Sequence, residues 1–160
     1  MLNFPIYVMS YKEAFDYVYN HSVQKNPPNS FAMISIREEE PGRAAFQYVP
    51  NGNLKDVLNI YFSDTEVPAR GCRLMADADA AKIKAFVEHL VKKDQINFLI
   101  IHCYAGISRS AAVAAALERV YNGDDSKYFT GDHYVPNPYV YKTMLNAYGL
   151  KNNGSSFETI

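Results

Sequence analysis

Apolar and polar residues along the chain fall into blocks that predict strands and helices in turn. Four short apolar runs have the length and composition of strands: 6–10, 30–37, 57–64 and 97–103. The last run, NFLIIHC, is apolar almost throughout, as expected of a strand buried on both faces of a sheet. Four other segments are predicted to be helical: 11–22, 78–93, 108–121 and 136–150.

Helix boundaries are marked by residues that satisfy free backbone groups. The clearest helix, 78–93, repeats apolar residues at the spacing of one face: Ile83, Phe86, Val87, Leu90 and Val91. Asp77 or Asp79 is expected to cap its start, and Ser10 the start of the first helix. Gly123 is expected to end the helix that begins near 108. Turn-forming residues predict loops in four places: 25–30, 38–42, 64–74 and 124–136.

The alternation of strands and helices favours an α/β fold, a single domain over 1–150 with a mainly parallel sheet flanked by helices. Residues 151–160 are expected to form a loose tail. In such sheets ligands bind beyond the carboxyl ends of the strands. Cys103 lies at one of these ends, which directs attention to the residues that follow it.

Composition narrows the classes of function. The chain has 160 residues and a net charge of −1, so no global field favours nucleic acid or an anionic membrane as partner. No apolar run approaches a membrane helix, and the first residues do not resemble a signal peptide. Its two cysteines, Cys72 and Cys103, form neither a metal-ligand pattern nor a disulfide framework. A reduced, cytoplasmic setting without metal or cofactor is expected.

The stretch HCYAGISRS, 102–110, has the composition of a phosphate-binding loop. Its turn consists of Tyr104, Ala105, Gly106, Ile107 and Ser108. Gly106 allows the backbone to turn tightly, so that successive amide groups point inward at an anion. The helix that follows adds free N–H groups and a positive dipole end. The guanidinium of Arg109 adds two parallel donors, which suits a tetrahedral dianion.

The same groups would activate the thiol of Cys103. A helix N-terminus and a neighbouring cation lower the pKa of a cysteine, so we expect Cys103 to be a thiolate at neutral pH. A thiolate beneath a bound phosphoryl group is an in-line nucleophile. Ser110 is expected to donate a hydrogen bond to the sulfur. His102 is expected to support the loop through backbone bonds, because neighbouring strand residues point to opposite faces.

HCYAGISRS resembles the signature loop of the cysteine-dependent protein tyrosine and dual-specificity phosphatases, without departure from Cys-x5-Arg-Ser. The resemblance covers about 5–150 and is closest to small, bacterial-type dual-specificity-like members. It implies a protein tyrosine phosphatase-like fold and a cysteinyl-phosphate intermediate. It also implies a general acid, an Asp on a loop upstream of the signature. Asp64, which ends a predicted strand, is the preferred candidate, and Asp77 and Asp79 compete with it.

The predicted function is metal-independent hydrolysis of a phosphomonoester, most simply a phosphotyrosine-bearing protein, with phosphoserine or phosphothreonine also admitted if the pocket is shallow. The segment YAGIS has no lysine, which disfavours a polyphosphorylated headgroup. The alternatives are a catalytically weak phosphate-binding module, a phosphatase of a non-protein ester such as a phosphoinositide, and a sulfur-transfer or arsenate-reducing enzyme.

Four further features carry weaker expectations. Cys72 is a candidate redox partner of Cys103, although a loop or core thiol is the default. Arg70 and Arg73 are expected to be solvated charges, with recognition of an anionic substrate as the alternative. Asn137 is expected either to cap the last helix or to organise the site. The run REEE, 37–40, is interpreted as a solvated strand end.

Overall fold

One parallel sheet organises the chain in the computed structural model, which describes residues 1–20, 29–38 and 46–150. Its strands are β1 (Ile6–Met9), β2 (Phe31–Arg37), β3 (Leu54–Tyr61) and β4 (Phe98–His102). Within the described residues their spatial order is β1-β4-β2-β3, and every pairing is parallel. The central strand β4 places His102 opposite Met9 on one side and Ser35 on the other.

Helices cover both faces of the sheet. They are α1 (Tyr11–Asn20), α2 (Asp77–Lys93), α3 (Arg109–Asn122) and α4 (Pro138–Ala147), with a 3-10 turn at Ser126–Tyr128. Alternate strand residues separate the two sides, as the pleat requires. Phe31, Met33 and Ile100 share one cluster with Ala14 and Val18 of α1. Ala32, Ile34, Ile36, Leu99 and Ile101 belong to the other cluster, which α2, α3 and α4 complete.

Helix α3 lies deepest in the fold. Its segment 111–117, AAVAAAL, is completely buried, and short alanine side chains let its backbone pack closely. The helix ends at Gly123, whose φ of 77° is the left-handed conformation that terminates helices. Because α3 follows the loop after β4 directly, its N-terminus is held at the carboxyl edge of the sheet.

The predicted α/β architecture is confirmed, and helix and strand bounds agree within a few residues. The largest difference is β3, which was expected at 57–64 but pairs three residues earlier. Pairing between β3 and β2 begins at Leu54, because β2 can pair from Phe31 onward. Lys55 and Asp56 are included in the strand although they are polar. It ends at Tyr61 because β2 ends, and Phe62 contributes one last bond from its N–H to the Arg37 carbonyl.

Helix caps follow the expected chemistry with one correction. Ser10 caps α1, since its hydroxyl accepts from the Glu13 amide while the Glu13 carboxylate accepts from the Ser10 amide. Ala76, rather than Asp77 or Asp79, occupies the cap position of α2. The Asp79 carboxylate instead reaches back from the first turn to accept from the Ala76 amide at 2.7 Å.

Some expectations fall on the rest of the chain. The helix end at 21–22, most of the loops at 25–30 and 38–42, and the tail at 151–160 lie outside the described residues. None of the helices in the described ranges combines the length and the apolar content needed to cross a bilayer.

Candidate active site

The loop after β4 is anchored on both sides by backbone hydrogen bonds. The Tyr104 carbonyl accepts from the Tyr11 amide at 2.9 Å, which ties the loop to the start of α1. The carbonyls of Ile107 and Ser108 accept from the segment just before α4. The loop is therefore fixed between two elements that are far apart in sequence.

Gly106 is required by its surroundings as well as by its conformation. Its φ is 71°, and a Cβ built there would lie 2.6 Å from the Met9 carbonyl carbon and 2.6 Å from the Ser10 nitrogen. Non-bonded neighbours of a Cβ atom essentially never lie closer than 3.0 Å. The loop passes over the junction of β1 and α1 so closely that any side chain would displace it.

Several backbone donors of the loop are available to an anion. Within the described parts of the chain, five amide groups of this segment donate no hydrogen bond: Tyr104, Ala105, Ile107, Ser108 and Arg109. The amide of Gly106 points at the sulfur of Cys103, 3.3 Å away. Free backbone amides beside a helix N-terminus are suited to bind a phosphate-like anion.

The Cys103 thiol is buried at 2% exposure and surrounded by donors. Its sulfur lies 3.1 Å from the Ser110 hydroxyl and 3.3 Å from the Gly106 nitrogen. Burial raises the pKa of this thiol, but the Ser110 and Gly106 hydrogen bonds and the Arg109 charge together lower it below its ordinary value. These contacts therefore stabilise the thiolate, which is the nucleophilic form of cysteine.

His102 supports the loop from the opposite face of β4. Its Nδ1 lies 3.1 Å from the Cys103 carbonyl, and its Nε2 lies 2.6 Å from the Ser35 hydroxyl. Because a carbonyl only accepts, we assign the proton to Nδ1, so the Ser35 hydroxyl donates to Nε2. Burial lowers the pKa of His102 to about 4, which keeps the ring neutral. Ser35 was not identified from the sequence.

Arg109 is the buried cation of the loop. It is 6% exposed, and its Nη1 donates to the Phe62 carbonyl at 3.0 Å. Its Nε is buried and has no hydrogen-bond partner among the described residues. A buried guanidinium with an unused donor costs free energy until an anion binds it.

Asp64 contacts the loop through one of its side chains, that of Ser108. Its Oδ1 accepts from the Ser108 hydroxyl at 2.9 Å and from the Asn137 side-chain amide at 2.8 Å, and the residue is exposed. Asn137 also caps α4, because its side-chain oxygen accepts from the Tyr139 and Val140 amides. The cap expected of Asn137 is therefore present, and the same side chain also contacts Asp64, the preferred acid candidate.

The competing acids are placed elsewhere. Asp79 is buried and forms an ion pair of 3.0 Å with Arg73, in addition to its contact with the start of α2. Asp77 is exposed and lines a groove between α2 and α4. Of the three candidates, Asp64 is therefore the one that contacts the loop.

The loop opens into a cavity of about 350 Å³. Cys103 and Arg109 line it, together with Tyr11, Ile36, Arg37, Glu38, Phe46, His102 and Tyr104. Arg37 departs from the interpretation of the run 37–40 as a solvated strand end, whereas Glu38 is exposed as expected. The Arg37 side chain is partly buried, because its guanidinium packs against the rings of Tyr11 and Phe46. Glu39 and Glu40 lie outside the described residues.

The remaining candidates lie away from the cavity lining. Arg73 pairs with Asp79 and donates to the Tyr61 carbonyl, so it holds the loop before α2 to the sheet. Arg70 is exposed on the same loop. Cys72 is exposed whereas Cys103 is buried, and both thiols are free.

Comparison with known proteins supports the fold. No protein-family model matches the sequence, and no curated protein sequence matches it significantly. The human tyrosine phosphatase-like serine/threonine/tyrosine-interacting protein is 18% identical, with 90% of this chain and 91% of that chain covered at a TM-score of 0.57. The phosphatase PTP-2 of Cydia pomonella is 19% identical, with 91% and 87% covered at 0.57. PTPMT1 in complex with PI(5)P is 16% identical, with 91% and 90% covered at 0.52. The chain has the fold of these tyrosine phosphatase-like proteins, as its signature loop predicts.

Proposed function

We propose that this chain, which has the tyrosine phosphatase-like fold, is a metal-independent phosphomonoester hydrolase acting through a cysteinyl-phosphate intermediate. One observation carries the proposal. The Cys103 sulfur, with its lowered pKa and two hydrogen-bond donors, lines the same cavity as the buried guanidinium of Arg109. A nucleophile and an anion-binding group are thereby available to one substrate.

The first step transfers the phosphoryl group to the enzyme. The Cys103 thiolate attacks phosphorus, the bond from phosphorus to the ester oxygen breaks, and that oxygen takes a proton from Asp64. The guanidinium of Arg109 and the free loop amides stabilise the charge on the equatorial oxygens. Asp64 is the acid candidate that contacts the loop, through Ser108, and it lines a cleft next to the Cys103 cavity.

The second step releases phosphate. The Asp64 carboxylate takes a proton from water as the water oxygen attacks phosphorus, and the bond from sulfur to phosphorus breaks. The sulfur leaves as a thiolate that the Ser110 hydroxyl stabilises at 3.1 Å. The cycle returns both Cys103 and Asp64 to their starting protonation states without a redox step.

An aryl phosphate suits the cavity best. Its wall includes the rings of Tyr11, Phe46 and Tyr104, which provide stacking area for an aromatic leaving group. Hydrolysis of an aryl phosphate, the reaction of the protein tyrosine and dual-specificity phosphatases, is therefore the activity we favour. A headgroup phosphate is the second candidate, because the similar fold of PTPMT1 is seen in complex with PI(5)P.

The test is hydrolysis of para-nitrophenyl phosphate in the presence of a metal chelator. Turnover should be abolished in Cys103→Ser, and kcat should fall at least about tenfold in Asp64→Ala, since general acid catalysis typically contributes about 10²–10⁴-fold. Asp77→Ala is the matched control and should retain wild-type kcat. Loss of activity on chelation, or retention of activity in Cys103→Ser, would overturn the proposed mechanism.

Binding without turnover has a different signature. If the wild type binds vanadate in an Arg109-dependent manner but releases no phosphate from any aryl ester, the chain is a phosphate-binding module. Equal loss of kcat in Asp64→Ala and Asp77→Ala would instead remove Asp64 from the role of general acid while leaving the nucleophile assigned.

A further inference from the structure

We propose that Arg37 forms a second anion-binding subsite in the Cys103 cavity, so that the preferred substrate is a small phosphomonoester with a second anionic group. The inference rests on the proposed function and specifies its substrate class. It starts from the position of Arg37 as the last residue of β2, at the same sheet edge from which the signature loop emerges. Arg37, Arg109 and Cys103 all line the one cavity of about 350 Å³.

The groups that hold Arg37 are uncharged. The guanidinium carbon lies 4.9 Å from the centre of the Tyr11 ring, 5.2 Å from that of Phe46 and 5.3 Å from that of Tyr48. Its Nε donates to the Ser35 hydroxyl at 3.4 Å. Burial raises the pKa of Tyr48 to about 12, so this phenol stays neutral and supplies no compensating charge.

The charge of Arg37 is not matched by a carboxylate in the described part of the chain. No ion pair there includes it, and its Nη2 is buried without a hydrogen-bond partner. Arg109 shows the same feature at its Nε, and there the unused donor belongs to the phosphoryl site. Arg73 differs from both, because Asp79 satisfies it. Partial burial of a cation without a counter-ion costs free energy, and an anion bound at Arg37 would offset that cost.

The size of the cavity limits what the second anion belongs to. A space of about 350 Å³ is at the lower end for small-molecule pockets, and it must hold the phosphoryl group as well. A phosphorylated ring with a carboxylate or a second phosphate places both charges inside. Glu38, exposed at the same cavity, opposes the second anion and therefore sets an upper limit on its affinity.

The test compares phenyl phosphate with three substrates that each carry one additional carboxylate. The value of kcat/KM is measured for phenyl phosphate and for the 2-, 3- and 4-carboxyphenyl phosphates, and the ratio of the best isomer to phenyl phosphate is the readout. We expect a ratio of roughly ten or more, the range of one charge-assisted hydrogen bond. The ratio should fall to about one in Arg37→Gln and to an intermediate value in Arg37→Lys, because lysine keeps the charge but not the fork.

Two further variants complete the design. Glu38→Gln should increase the ratio, and Arg70→Gln, which removes an exposed arginine outside the cavity lining, should leave it at the wild-type value. If Arg37→Gln does not fold, Arg37→Lys and Glu38→Gln decide the question, and an unchanged ratio in both overturns the subsite.

Failure of this inference differs from failure of the proposed function. If the wild type hydrolyses phenyl phosphate and the ratio of kcat/KM values is near one, the phosphatase assignment stands and the subsite is overturned. A wild type that hydrolyses none of these esters loses both. An Arg37-dependent preference seen only with phosphotyrosine peptides, for glutamate beside the phosphotyrosine, would assign the second anion to a protein substrate and overturn the small-molecule proposal.

Discussion

The sulfur of Cys103 is balanced between burial, which raises its pKa, and donors that lower it. Ser110 contributes the side-chain donor, 3.1 Å away. In Ser110→Ala we expect the pKa of Cys103 to rise, because the sulfur loses a hydrogen bond that stabilises its charged form, and such a bond contributes roughly 1.5–3 kcal/mol. The measurement is the rate of alkylation by iodoacetamide against pH, in a Cys72→Ser background.

A serine remote from the sulfur provides the comparison. Ser126→Ala, in the 3-10 turn before α4, should leave the midpoint of the alkylation profile unchanged. An unshifted midpoint in Ser110→Ala as well would assign the lowered pKa to the backbone donor at Gly106 and the charge of Arg109 alone.

The site residues that the sequence alone could bring together are those close to one another in the chain. Cys103, Arg109 and Ser110 lie within eight consecutive positions, and the turn between strand and helix brings them together wherever that motif folds. Ser35 and Arg37 could not be found in this way. Ser35 contacts His102 because β2 and β4 are neighbours, a pairing across 67 positions that no local pattern reports.

The junction of β1 and α1 fixes the shape of the signature loop through Gly106. Gly106→Ala should reduce both Tm and kcat, because its Cβ would meet backbone atoms of Met9 and Ser10 at 2.6 Å. Gly123→Ala is the matched control. It has a similar φ of 77°, but nothing lies within 4 Å of its Cβ, so it carries only the conformational cost of about 1 kcal/mol.

Circular-dichroism melting and turnover of para-nitrophenyl phosphate separate the two effects. The Tm of Gly106→Ala should lie below that of Gly123→Ala, and only Gly106→Ala should lose activity. Equal Tm values and equal kcat values would show that the loop yields to a side chain, contrary to the close approach seen at Met9.

Asn137 links the start of α4 to Asp64. Its side-chain oxygen accepts from the Tyr139 amide, and its side-chain nitrogen donates to the Asp64 carboxylate. Asn137→Ser should preserve the cap, because serine is equally favoured there, but remove the amide donor that holds Asp64. We expect kcat to fall several-fold while Tm stays within a few degrees. Asn137→Ala should lose the cap as well, at a cost of about 1 kcal/mol in unfolding free energy.

Comparing kcat and Tm across the two variants isolates the contact with Asp64. If Asn137→Ser retains full kcat, Asp64 is positioned by Ser108 alone, whose hydroxyl reaches the same carboxylate oxygen at 2.9 Å. If Asn137→Ser loses as much stability as Asn137→Ala, the serine does not cap, and the two functions of the residue are not separable.

Helices and strands were predictable from the sequence where a single apolar pattern runs along the whole segment. The apolar spacing of α2 and the alanine-rich sequence of α3 gave bounds within one residue. The position of β3 was wrong by three residues because the ladder follows its neighbour β2 rather than its own alternation. The 3-10 turn at Ser126–Tyr128 lies in a segment predicted as a loop, whose polar sequence carries no helical periodicity.

Across the whole molecule, the spatial order of the strands brings the site together. A parallel α/β sheet was predictable, but the order β1-β4-β2-β3 was not, since pairing partners depend on long-range contacts. That order places β4 between β1 and β2. Gly106 can then rest on the end of β1, while Ser35 and Arg37 approach from the end of β2. The cavity therefore combines local and distant residues.

The buried histidine of this central strand couples the stability of the whole fold to pH. Burial lowers the pKa of His102 to about 4 in the native state, whereas an unfolded histidine titrates near 6.5. Between these values the unfolded chain binds a proton that the native chain does not, so unfolding takes up a proton and the native state loses stability as pH falls. The loss is about 3 kcal/mol on going from pH 6.5 to pH 4.

Urea unfolding of the wild type and of His102→Gln at several pH values measures this contribution. The variant is expected to be less stable at pH 7, because Ser35 and the Cys103 carbonyl lose their ring partner, yet to lose less stability on acidification. His89→Gln, which removes an exposed histidine on α2, should keep the wild-type slope. Parallel slopes for the wild type and His102→Gln would mean that the native state admits a proton at His102. In that case a neutral His102 ring could not be the group that joins β2 and β4 to the signature loop.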